Sequence, residues 1–331
     1  MLSFSQHSKK KSIPIAHAFH NERCTGKPAF TIWYIQDYTS PPEITTSDPE
    51  ALMTSERYRI CKEFSLSFRE YEILLKRVAN SQPVLETSSR TMKRAYLEIQ
   101  KIMHNKLRKS LEFNGDNVWL KPIYDTTPDR TNQILTAFGS SGAGKSWMLN
   151  DIMCRNPAVL SGLVPMVYKF SSVENDPSFQ GLRDLMGEKF VYKDPRDLTP
   201  EDLNVKAYDK KSVLIFDDTN SISDKRVRNM VLNFRNNCLE IARHRSLVIL
   251  NSDHLYHARN LTAKLRNSSA YMVFYPRNSP KPIDDVLEHT MNMSKHERVD
   301  LIKKIIKEAR SQFIRMDSPS FLVNSKRCML F

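Results

Sequence analysis

The sequence predicts an α/β fold, a three-layer sandwich with a mostly parallel central sheet, preceded by an α-rich N-terminal extension. The first observation is that short apolar runs alternate with longer helical stretches in the second half of the chain. Strands that alternate with helices form a parallel sheet covered on both faces. The second observation is length, because 331 residues suffice for one α/β core and an appendage of about a hundred residues. The third is a glycine-rich turn that follows one apolar run and opens a helix.

The first 120 residues differ in character from the rest of the chain. Proline pairs and Ser/Thr-rich stretches, such as the one at residues 39–42, predict an irregular and partly flexible segment over residues 1–55. Helical periodicity then predicts helices at residues 56–80 and 88–113, within a helical extension over residues 56–120. One face of the second helix is basic, and this face is either solvated or directed towards nucleic acid.

The α/β module is expected over residues 121–325, with a short tail at residues 326–331. Its predicted strands are the apolar runs at residues 133–138, 164–170, 212–216, 246–251 and 270–275. Its predicted helices lie at residues 145–154, 224–243, 254–265 and 298–310. The module closes with two short strand-like pieces, at residues 313–316 and 321–323.

Composition excludes several classes of protein. The chain carries 50 Lys and Arg against 37 Asp and Glu, a net charge of +13, which favours contact with polyanions. A basic protein kept soluble by its charge is the alternative. We expect no membrane span, because no apolar run approaches roughly 18 residues, and an intracellular protein, because the N-terminus lacks the apolar region of a signal peptide. Five scattered cysteines without a CxxC pattern argue against structural zinc and a disulfide framework.

Eight glycines occur in the chain, and three of them fall within six residues. There the pattern G-x-x-x-x-G-K-[ST] is matched at each fixed position by Gly139, Ser140, Ser141, Gly142, Ala143, Gly144, Lys145 and Ser146, with Trp147 next. The N–H groups of such a loop point inward around a phosphate, and the helix that starts at Lys145 adds free amides and a positive dipole end. We predict that these nine residues bind ATP, with Lys145 reaching the β- and γ-phosphates and Ser146 ligating Mg²⁺.

Two adjacent carboxylates follow the buried-strand pattern at residues 213–216. Asp217 is predicted to hold Mg²⁺, while Asp218, directed elsewhere by strand alternation, is predicted to polarise the attacking water. A turn residue or helix cap is the alternative role for Asp218. The next predicted strand ends in a polar amide at Asn251, which either senses the γ-phosphate or only caps the strand.

Taken together, these motifs resemble the FtsK/HerA superfamily of RecA-like P-loop NTPases. The resemblance is carried by the glycine-rich loop, the aspartate pair, Arg243-His244 before the fourth strand, and the run from Lys264 to Phe274. Within the superfamily, the motifs are similar to those of genome-packaging ATPases from poxviruses, other large DNA viruses and Maverick/Polinton elements. The resemblance covers about residues 130–325, and it departs from the family at Asn251, where glutamine is usual.

The resemblance implies a homo-oligomeric ring, a hexamer or a pentamer, in which each ATP lies at a subunit interface. An arginine of the neighbouring subunit would neutralise charge on the transferred phosphoryl group. Arg266 is the first choice for this role, with Arg259 and Arg243 behind it, and a surface or interface salt bridge is the alternative. The resemblance also implies double-stranded DNA and a capsid or portal-like vertex as partners, at virion-assembly sites in the host cytoplasm or nucleus or within the virion. DNA-contacting loops are expected within residues 173–211, a mixed polar segment.

We therefore expect an ATP-hydrolysing DNA translocase that packages a viral or virus-like double-stranded DNA genome into a capsid. Two alternatives stay open at this point. One is a cellular or plasmid DNA pump or helicase of the same type. The other is a P-loop kinase for a small molecule, or a nucleotide-binding scaffold that does not hydrolyse ATP.

Overall fold

The computed structural model describes residues 2–3, 12–35, 49–79, 82, 84–85, 87–110, 112–114, 118–124, 133–254, 259–277, 279–291, 293–317 and 319–331. The chain forms two compact units. The first unit comprises Met1–Ile13 and Tyr34–Phe113, and the second comprises Pro14–Trp33 and Asn114–Phe331. The proline pair at residues 41–42 lies outside the described residues.

The described residues of the first unit form three helices and the short strand β1 (Leu2–Ser3). The helices are α1 (Pro49–Glu63), α2 (Phe68–Ala79) and α3 (Arg90–Ser110). The helical periodicity at residues 56–80 corresponds to two helices, the end of α1 and the whole of α2, separated by a turn at Ser65, whose φ is 50°. The helix predicted at residues 88–113 is confirmed as α3, and its apolar stripe packs Ala95 and Ile99 into a small core with α1 and α2.

Strands also form in the N-terminal region, so the prediction of an irregular segment over residues 1–55 does not hold for residues 12–35. These strands are β2 (Ser12–Phe19) and β3 (Phe30–Ile35). They lie in a small sheet with β5 (Trp119–Pro122), in the order β3-β2-β5. The pairing of β2 with β5 is antiparallel and joins segments far apart in the sequence, so local periodicity carried no signal of it.

Within the second unit, nine strands of the described residues form the large sheet. Their spatial order is β14 (Arg327–Leu330), β13 (Phe321–Val323), β12 (Gln312–Arg315), β11 (Tyr271–Phe274), β6 (Ile134–Phe138), β10 (Val248–Asp253), β9 (Val213–Asp217), β7 (Val167–Phe170) and β8 (Phe190–Lys193). Strands β11 to β8 pair in parallel, whereas β12, β13 and β14 pair antiparallel. The mostly parallel sheet is confirmed. The predicted tail at residues 326–331 instead supplies β14, and β4 (Glu112–Asn114) lies at the boundary between the units.

Helices cover the parallel strands and complete the three-layer sandwich, which is the fold of a P-loop NTPase. They are α4 (Lys145–Cys154), α5 (Pro157–Leu160), α6 (Gln180–Met186), α7 (Lys225–Arg245), α8 (Arg259–Ser268), α9 (Lys281–His289) and α10 (Lys295–Glu308). The helices predicted at residues 145–154, 224–243 and 298–310 are confirmed. The helix predicted at residues 254–265 begins later, at Arg259, and residues 255–258 lie outside the described part of the chain. None of the described helices combines the length and apolarity needed to span a membrane.

Burial and strand register together align the ends of the central strands. Every residue of β6, β9 and β10 is buried, as expected for parallel strands covered on both faces. On one face, an aromatic cluster of Phe170, Phe216 and Phe234 packs the strands against α7. In the parallel register, Ser252 of β10 lies opposite both Ala137 of β6 and Asp217 of β9. The carboxyl ends of these three strands therefore meet at one edge of the sheet.

Candidate active site

The glycine-rich loop connects the end of β6 to the start of α4. Gly142 and Gly144 have φ angles of 70° and 101°, a region that side chains rarely adopt, so glycine is required at both positions. Gly144 is the N-cap of α4 and has no side chain that could cap the amides of the first turn. The loop and the helix end thus offer unsatisfied N–H groups to an anion.

Gly139 is constrained by contact instead of by φ. A Cβ built on it would lie 2.9 Å from Cδ2 of Tyr275, the residue that follows β11. The hydroxyl of Tyr275 donates to the carbonyl of Gly144 at 2.9 Å, and burial raises the pKa of this phenol, so it stays a donor. Tyr275 therefore supports the loop from beneath, a role that the sequence analysis missed because nothing local marks it.

A second support comes from the segment after α10. Arg310 donates to the carbonyl of Gly142 at 2.6 Å. Together with Tyr275 and Arg277, Arg310 lines a cavity of about 110 Å³ beside residues 141–143 of the loop. The loop is thus held on two sides by groups from distant parts of the chain.

Lys145 lies in the cradle with only 4% of its side chain exposed. Its Nζ is 3.3 Å from the carbonyl oxygen of Ser140 and 3.1 Å from Nδ1 of His254. The nearest carboxylate oxygen is Oδ1 of Asp218, at 3.7 Å. The ammonium group is therefore held where the outer phosphates of a bound nucleotide would meet it.

Ser146 and Asp217 are brought together by the meeting of β9 with α4. The Ser146 hydroxyl donates to Oδ1 of Asp217 at 2.9 Å, and the Ser252 hydroxyl donates to the same oxygen at 2.5 Å. Only 6% of the Asp217 side chain is exposed. Burial raises the pKa of Asp217, while the Ser252 hydrogen bond and the nearby Lys169 ammonium oppose that rise.

Lys169 lies beneath this pair on β7 and is fully buried. Its Nζ is 3.7 Å from Oδ2 of Asp217 and 3.5 Å from Oδ2 of Asp176. It also donates to the carbonyl of Val173 at 2.9 Å and lies 5.0 Å from the ring centre of Phe179. Sequence analysis did not single out this lysine, which sits within the apolar run at residues 164–170.

Asp218 lies beyond the end of β9 in a left-handed conformation, with φ 50°. Strand alternation therefore stops at Asp217 and does not set the direction of the Asp218 side chain, and the Ser252 hydroxyl contacts both carboxylates, at 2.5 Å and 3.3 Å. The Asp218 amide donates to the carbonyl of Ser252 at 3.2 Å, and its Oδ2 lies 3.2 Å from Nε2 of His254. This carboxylate therefore lies beside Lys145 and the glycine-rich loop, and it is accessible to water because its side chain is 39% exposed.

His254 immediately follows β10 and was not predicted as a site residue. Its Nδ1 lies 3.1 Å from Lys145 Nζ and 3.2 Å from the carbonyl oxygen of Gly139, while its Nε2 faces Asp218. The signal that could have identified it is its position directly after a buried strand adjacent to the strand that carries the loop.

Asn251 does not join this group. It lies within β10, which continues to Asp253, and successive residues of a strand point to opposite faces. Ser252 points towards Asp217, whereas Asn251 donates to Oγ1 of Thr136 at 3.4 Å. Thr136 in turn lies 2.7 Å from the hydroxyl of Ser269. The predicted contact between Asn251 and the phosphate site therefore has no support in the described contacts.

A buried polar cluster anchors the end of β10. Asp253 accepts a hydrogen bond from Asn220, two residues after Asp218, and lies 3.8 Å from Arg235 of α7. Burial lowers the pKa of Arg235 to about 10, and the Asp253 charge opposes that shift. The carbonyl of Asp253 accepts from the amide of Gly139 at 3.1 Å. This cluster ties β10, the turn after β9 and the start of the loop together.

The remaining predicted residues lie apart from the aspartate pair. Trp147 is in the first turn of α4, and its side chain is exposed. Arg266 lines a cleft of about 390 Å³ near the amino end of β11, with Ser269, Met272 and Asp317 among its neighbours. That is the sheet edge opposite to the glycine-rich loop. The side chains of Arg243 and Arg259 fall outside the described part of the structure.

The oxygen groups around Asp217 fit a magnesium ion. A hydroxyl and a carboxylate within 2.9 Å of each other are the hard oxygen ligands that Mg²⁺ prefers. No group of three or more His, Cys, Asp or Glu side chains among the described residues could hold a metal ion. A small number of protein ligands is typical for Mg²⁺, which binds one or two carboxylates together with substrate phosphates and water.

Comparison with known proteins found no family model that matches the chain. The uncharacterized protein V3 of the Sputnik virophage is 26% identical over 98 residues, which make up 29% of this chain and 40% of that protein. The match thus spans less than half of the length of that relative.

Two solved structures illustrate the likeness in fold. The genome-packaging NTPase B204 of Sulfolobus turreted icosahedral virus 2, in complex with AMPPCP, has 13% identity and a TM-score of 0.39, over 60% of this chain and 98% of that chain. The pCW3 conjugation coupling protein TcpA, with ATPγS, has 14% identity and a TM-score of 0.37, over 62% of each chain.

Proposed function

We propose that this protein is a magnesium-dependent ATPase. The observation that supports the proposal is the convergence of four side chains at one sheet edge. Lys145 and Ser146 begin the helix after the glycine-rich loop, and Asp217 and Asp218 lie at the end of β9. The Ser146 hydroxyl is 2.9 Å from Oδ1 of Asp217, and Lys145 Nζ is 3.7 Å from Oδ1 of Asp218. Loop amides, a lysine, a hydroxyl and two carboxylates are the groups that phosphoryl transfer from a nucleoside triphosphate requires.

Each group has a distinct task in the proposed reaction. The loop amides and Lys145 bind the phosphates and orient the γ-phosphate. Ser146 and Asp217 would hold Mg²⁺, which neutralises developing charge on the phosphates when bound. Asp218 is exposed enough to contact a water molecule and accepts its proton as the oxygen attacks the γ-phosphorus. ADP leaves with the electrons of the broken P–O bond.

We further propose that ATP hydrolysis drives movement of double-stranded DNA, and that the work done is packaging of a viral or virus-like genome. Support comes from the net charge of +13, which suits a polyanionic partner, and from the motif resemblance to FtsK/HerA packaging ATPases. In this proposal the subunits form a homo-oligomeric ring, Arg266 of one subunit acts on the ATP of its neighbour, and the ring docks at a capsid vertex.

The test is ATP turnover of the purified chain with and without duplex DNA, with its mass in solution recorded in parallel. We expect duplex DNA to stimulate turnover, more weakly as salt rises because counterion release drives DNA binding, and we expect the mass of a ring. Replacement of Lys145 by Ala should abolish turnover, whereas Ala at the exposed Lys303 of α10 should not.

Two outcomes would contradict parts of this proposal. Turnover without stimulation by DNA, from a monomeric protein, would favour an enzyme that acts on a small molecule. Normal filling of capsids by the Lys145→Ala variant would refute the packaging role and leave a DNA pump or helicase with a different task.

A further inference from the structure

His254 is in contact with three parts of the proposed catalytic apparatus at once. Its Nδ1 lies 3.1 Å from the Lys145 ammonium nitrogen and 3.2 Å from the Gly139 carbonyl oxygen. Its Nε2 lies 3.2 Å from Oδ2 of Asp218. An imidazole carries two nitrogens on different sides of a rigid ring, so it can bridge two groups in a single fixed orientation.

The position of His254 is set by the buried polar cluster around the preceding residue. The preceding residue, Asp253, is 2% exposed and is held by Asn220 and by Arg235, which is 1% exposed. The Asp253 carbonyl also accepts from the Gly139 amide at 3.1 Å. The end of β10 is therefore fixed relative to both the glycine-rich loop and the turn after β9, and His254 inherits that position.

Two of the three ring contacts, those to Asp218 and Lys145, are hydrogen bonds in one tautomer, in which the approach of Nδ1 to the Gly139 carbonyl is only a close contact. With the proton on Nε2, the imidazole donates to Oδ2 of Asp218 and accepts from the Lys145 ammonium at Nδ1. Oδ1 of Asp218 then lies on the side of Lys145, 3.7 Å from its Nζ and 3.3 Å from the Ser252 hydroxyl, where the γ-phosphate and the attacking water would lie. A carboxylate whose Oδ2 is held in this way has its Oδ1 directed for proton abstraction.

We propose that His254 is a positioning residue for ATP hydrolysis, which aligns the Asp218 carboxylate with the Lys145 ammonium. The inference rests on the proposed ATPase function. The proton of the attacking water passes to Oδ1 of Asp218, the new O–P bond forms at the γ-phosphorus, and the bond to the β-phosphate oxygen breaks to release ADP. His254 gains and loses no proton in this step. It holds Oδ2, and thereby the direction of Oδ1.

Three substitutions test the proposal, with His296→Ala as control because that histidine is on the surface of α10 with a 90% exposed side chain. We expect His254→Ala to lower kcat about 30-fold, with a change in the KM for ATP of about threefold or less. Glutamine presents an amide oxygen and an N–H group that can take the two contacts, so His254→Gln should restore most of the lost turnover. Asparagine is too short for both contacts, so His254→Asn should resemble the alanine variant.

A double-mutant cycle with Asp218 separates positioning from a structural role. If His254 acts through Asp218, adding His254→Ala to the Asp218→Asn variant should slow single-turnover hydrolysis no further. If His254 has only a structural role, His254→Ala should lower the thermal midpoint of unfolding and leave kcat per folded molecule unchanged. Should the alanine variant fail to fold, the comparison of His254→Gln with His254→Asn carries the same test.

The proposal is overturned if His254→Ala turns over ATP like the His296→Ala control, if glutamine rescues nothing, or if the two losses multiply in the cycle. Failure of the underlying function looks different, because the unmodified chain would then neither bind nor hydrolyse ATP. Normal ATP hydrolysis by the unmodified chain and by all His254 variants would refute the role of His254 alone.

Discussion

Asp217 and Asp218 are neighbours in sequence but have different surroundings. Asp217 is 6% exposed and accepts hydrogen bonds from two serine hydroxyls. Asp218 is 39% exposed and faces Lys145 and His254. The buried carboxylate suits an ion that is also held by phosphates, and the open one suits contact with water. Two side chains of the same type therefore take separate roles in the proposed reaction.

Asparagine substitutions should separate these roles. We expect Asp218→Asn to bind ATP normally and to hydrolyse it at least about 100-fold more slowly, because the amide accepts no proton. Asp217→Asn should instead raise the Mg²⁺ concentration needed for half-maximal turnover, because an amide is a weaker ligand. ATP binding by fluorescence and turnover in a Mg²⁺ titration measure both effects.

Two outcomes would contradict this division of roles. If the Asp218→Asn variant hydrolyses ATP at the rate of the unmodified chain, Asp218 has no role in the mechanism. Turnover that persists in excess chelator would show that the Asp217 site does not serve a metal ion.

Gly139 and Tyr275 form a second pair whose significance is visible only in space. We expect Gly139→Ala to lower the free energy of unfolding by about 1–3 kcal/mol, because the new Cβ would overlap the Tyr275 ring. Urea denaturation measures the change. In a Tyr275→Ala background the same substitution should cost much less.

Tyr275→Phe is the matched control for this pair. It removes the hydrogen bond to the Gly144 carbonyl and keeps the ring, so the full cost of Gly139→Ala should remain. An equal cost of Gly139→Ala in all three backgrounds would refute steric overlap as its cause.

At the scale of elements, β10 divides its polar residues between two faces of the sheet. Ser252 donates to Asp217, and Asn251 donates to Thr136 on the other face. The sequence analysis placed the sensing group at Asn251 because it predicted the strand to end there. The strand continues to Asp253, and His254 is the residue that emerges beside the loop.

Alanine at these two positions should have different effects. We expect Ser252→Ala to weaken Mg²⁺-dependent turnover by about tenfold, as loss of a hydrogen bond to a metal ligand does. Asn251→Ala should leave turnover unchanged and lower the free energy of unfolding by about 1–2 kcal/mol through the lost buried hydrogen bond. Turnover kinetics and urea denaturation measure the two effects. A large loss of kcat in Asn251→Ala would restore the sensing role of Asn251.

At the scale of the whole molecule, residues 14–33 belong to the same compact unit as the proposed ATPase site. Strand β2 pairs with β5, and Ile15 of β2 is fully buried. Residues 14–33 are therefore part of the second unit, and a chain shortened to the predicted boundary at residue 121 would lack them.

A charge placed in β2 tests this conclusion. We expect Ile15→Asp to destabilise the second unit by about 3–5 kcal/mol, because a buried carboxylate without a partner is costly. Ala at the exposed His20 is the control and should change stability by about 0.5 kcal/mol or less. Urea denaturation followed through ATP binding reports on the second unit. Equal stability of the two variants would show that β2 is dispensable.

Local pattern was sufficient for the fold class, the glycine-rich loop and the aspartate pair. Apolar runs reveal buried parallel strands because such strands are covered on both faces, and the loop is a contiguous motif whose backbone requirements appear directly as glycines. The sequence therefore predicted two adjacent pairs of side chains, Lys145 with Ser146 and Asp217 with Asp218, and the structure brings these pairs together.

Tertiary structure alone decided which distant residues complete the site. Tyr275, Arg310, Lys169 and His254 reach it from four other segments of the chain, and no local periodicity encodes such contacts. The left-handed turn that directs Asp218 into the cleft, and the strand register that directs Asn251 away from it, likewise depend on pairing between strands. Sequence by itself thus determined the fold and the phosphate loop, whereas packing between remote segments decided which side chains meet there, because that choice depends on non-local contacts.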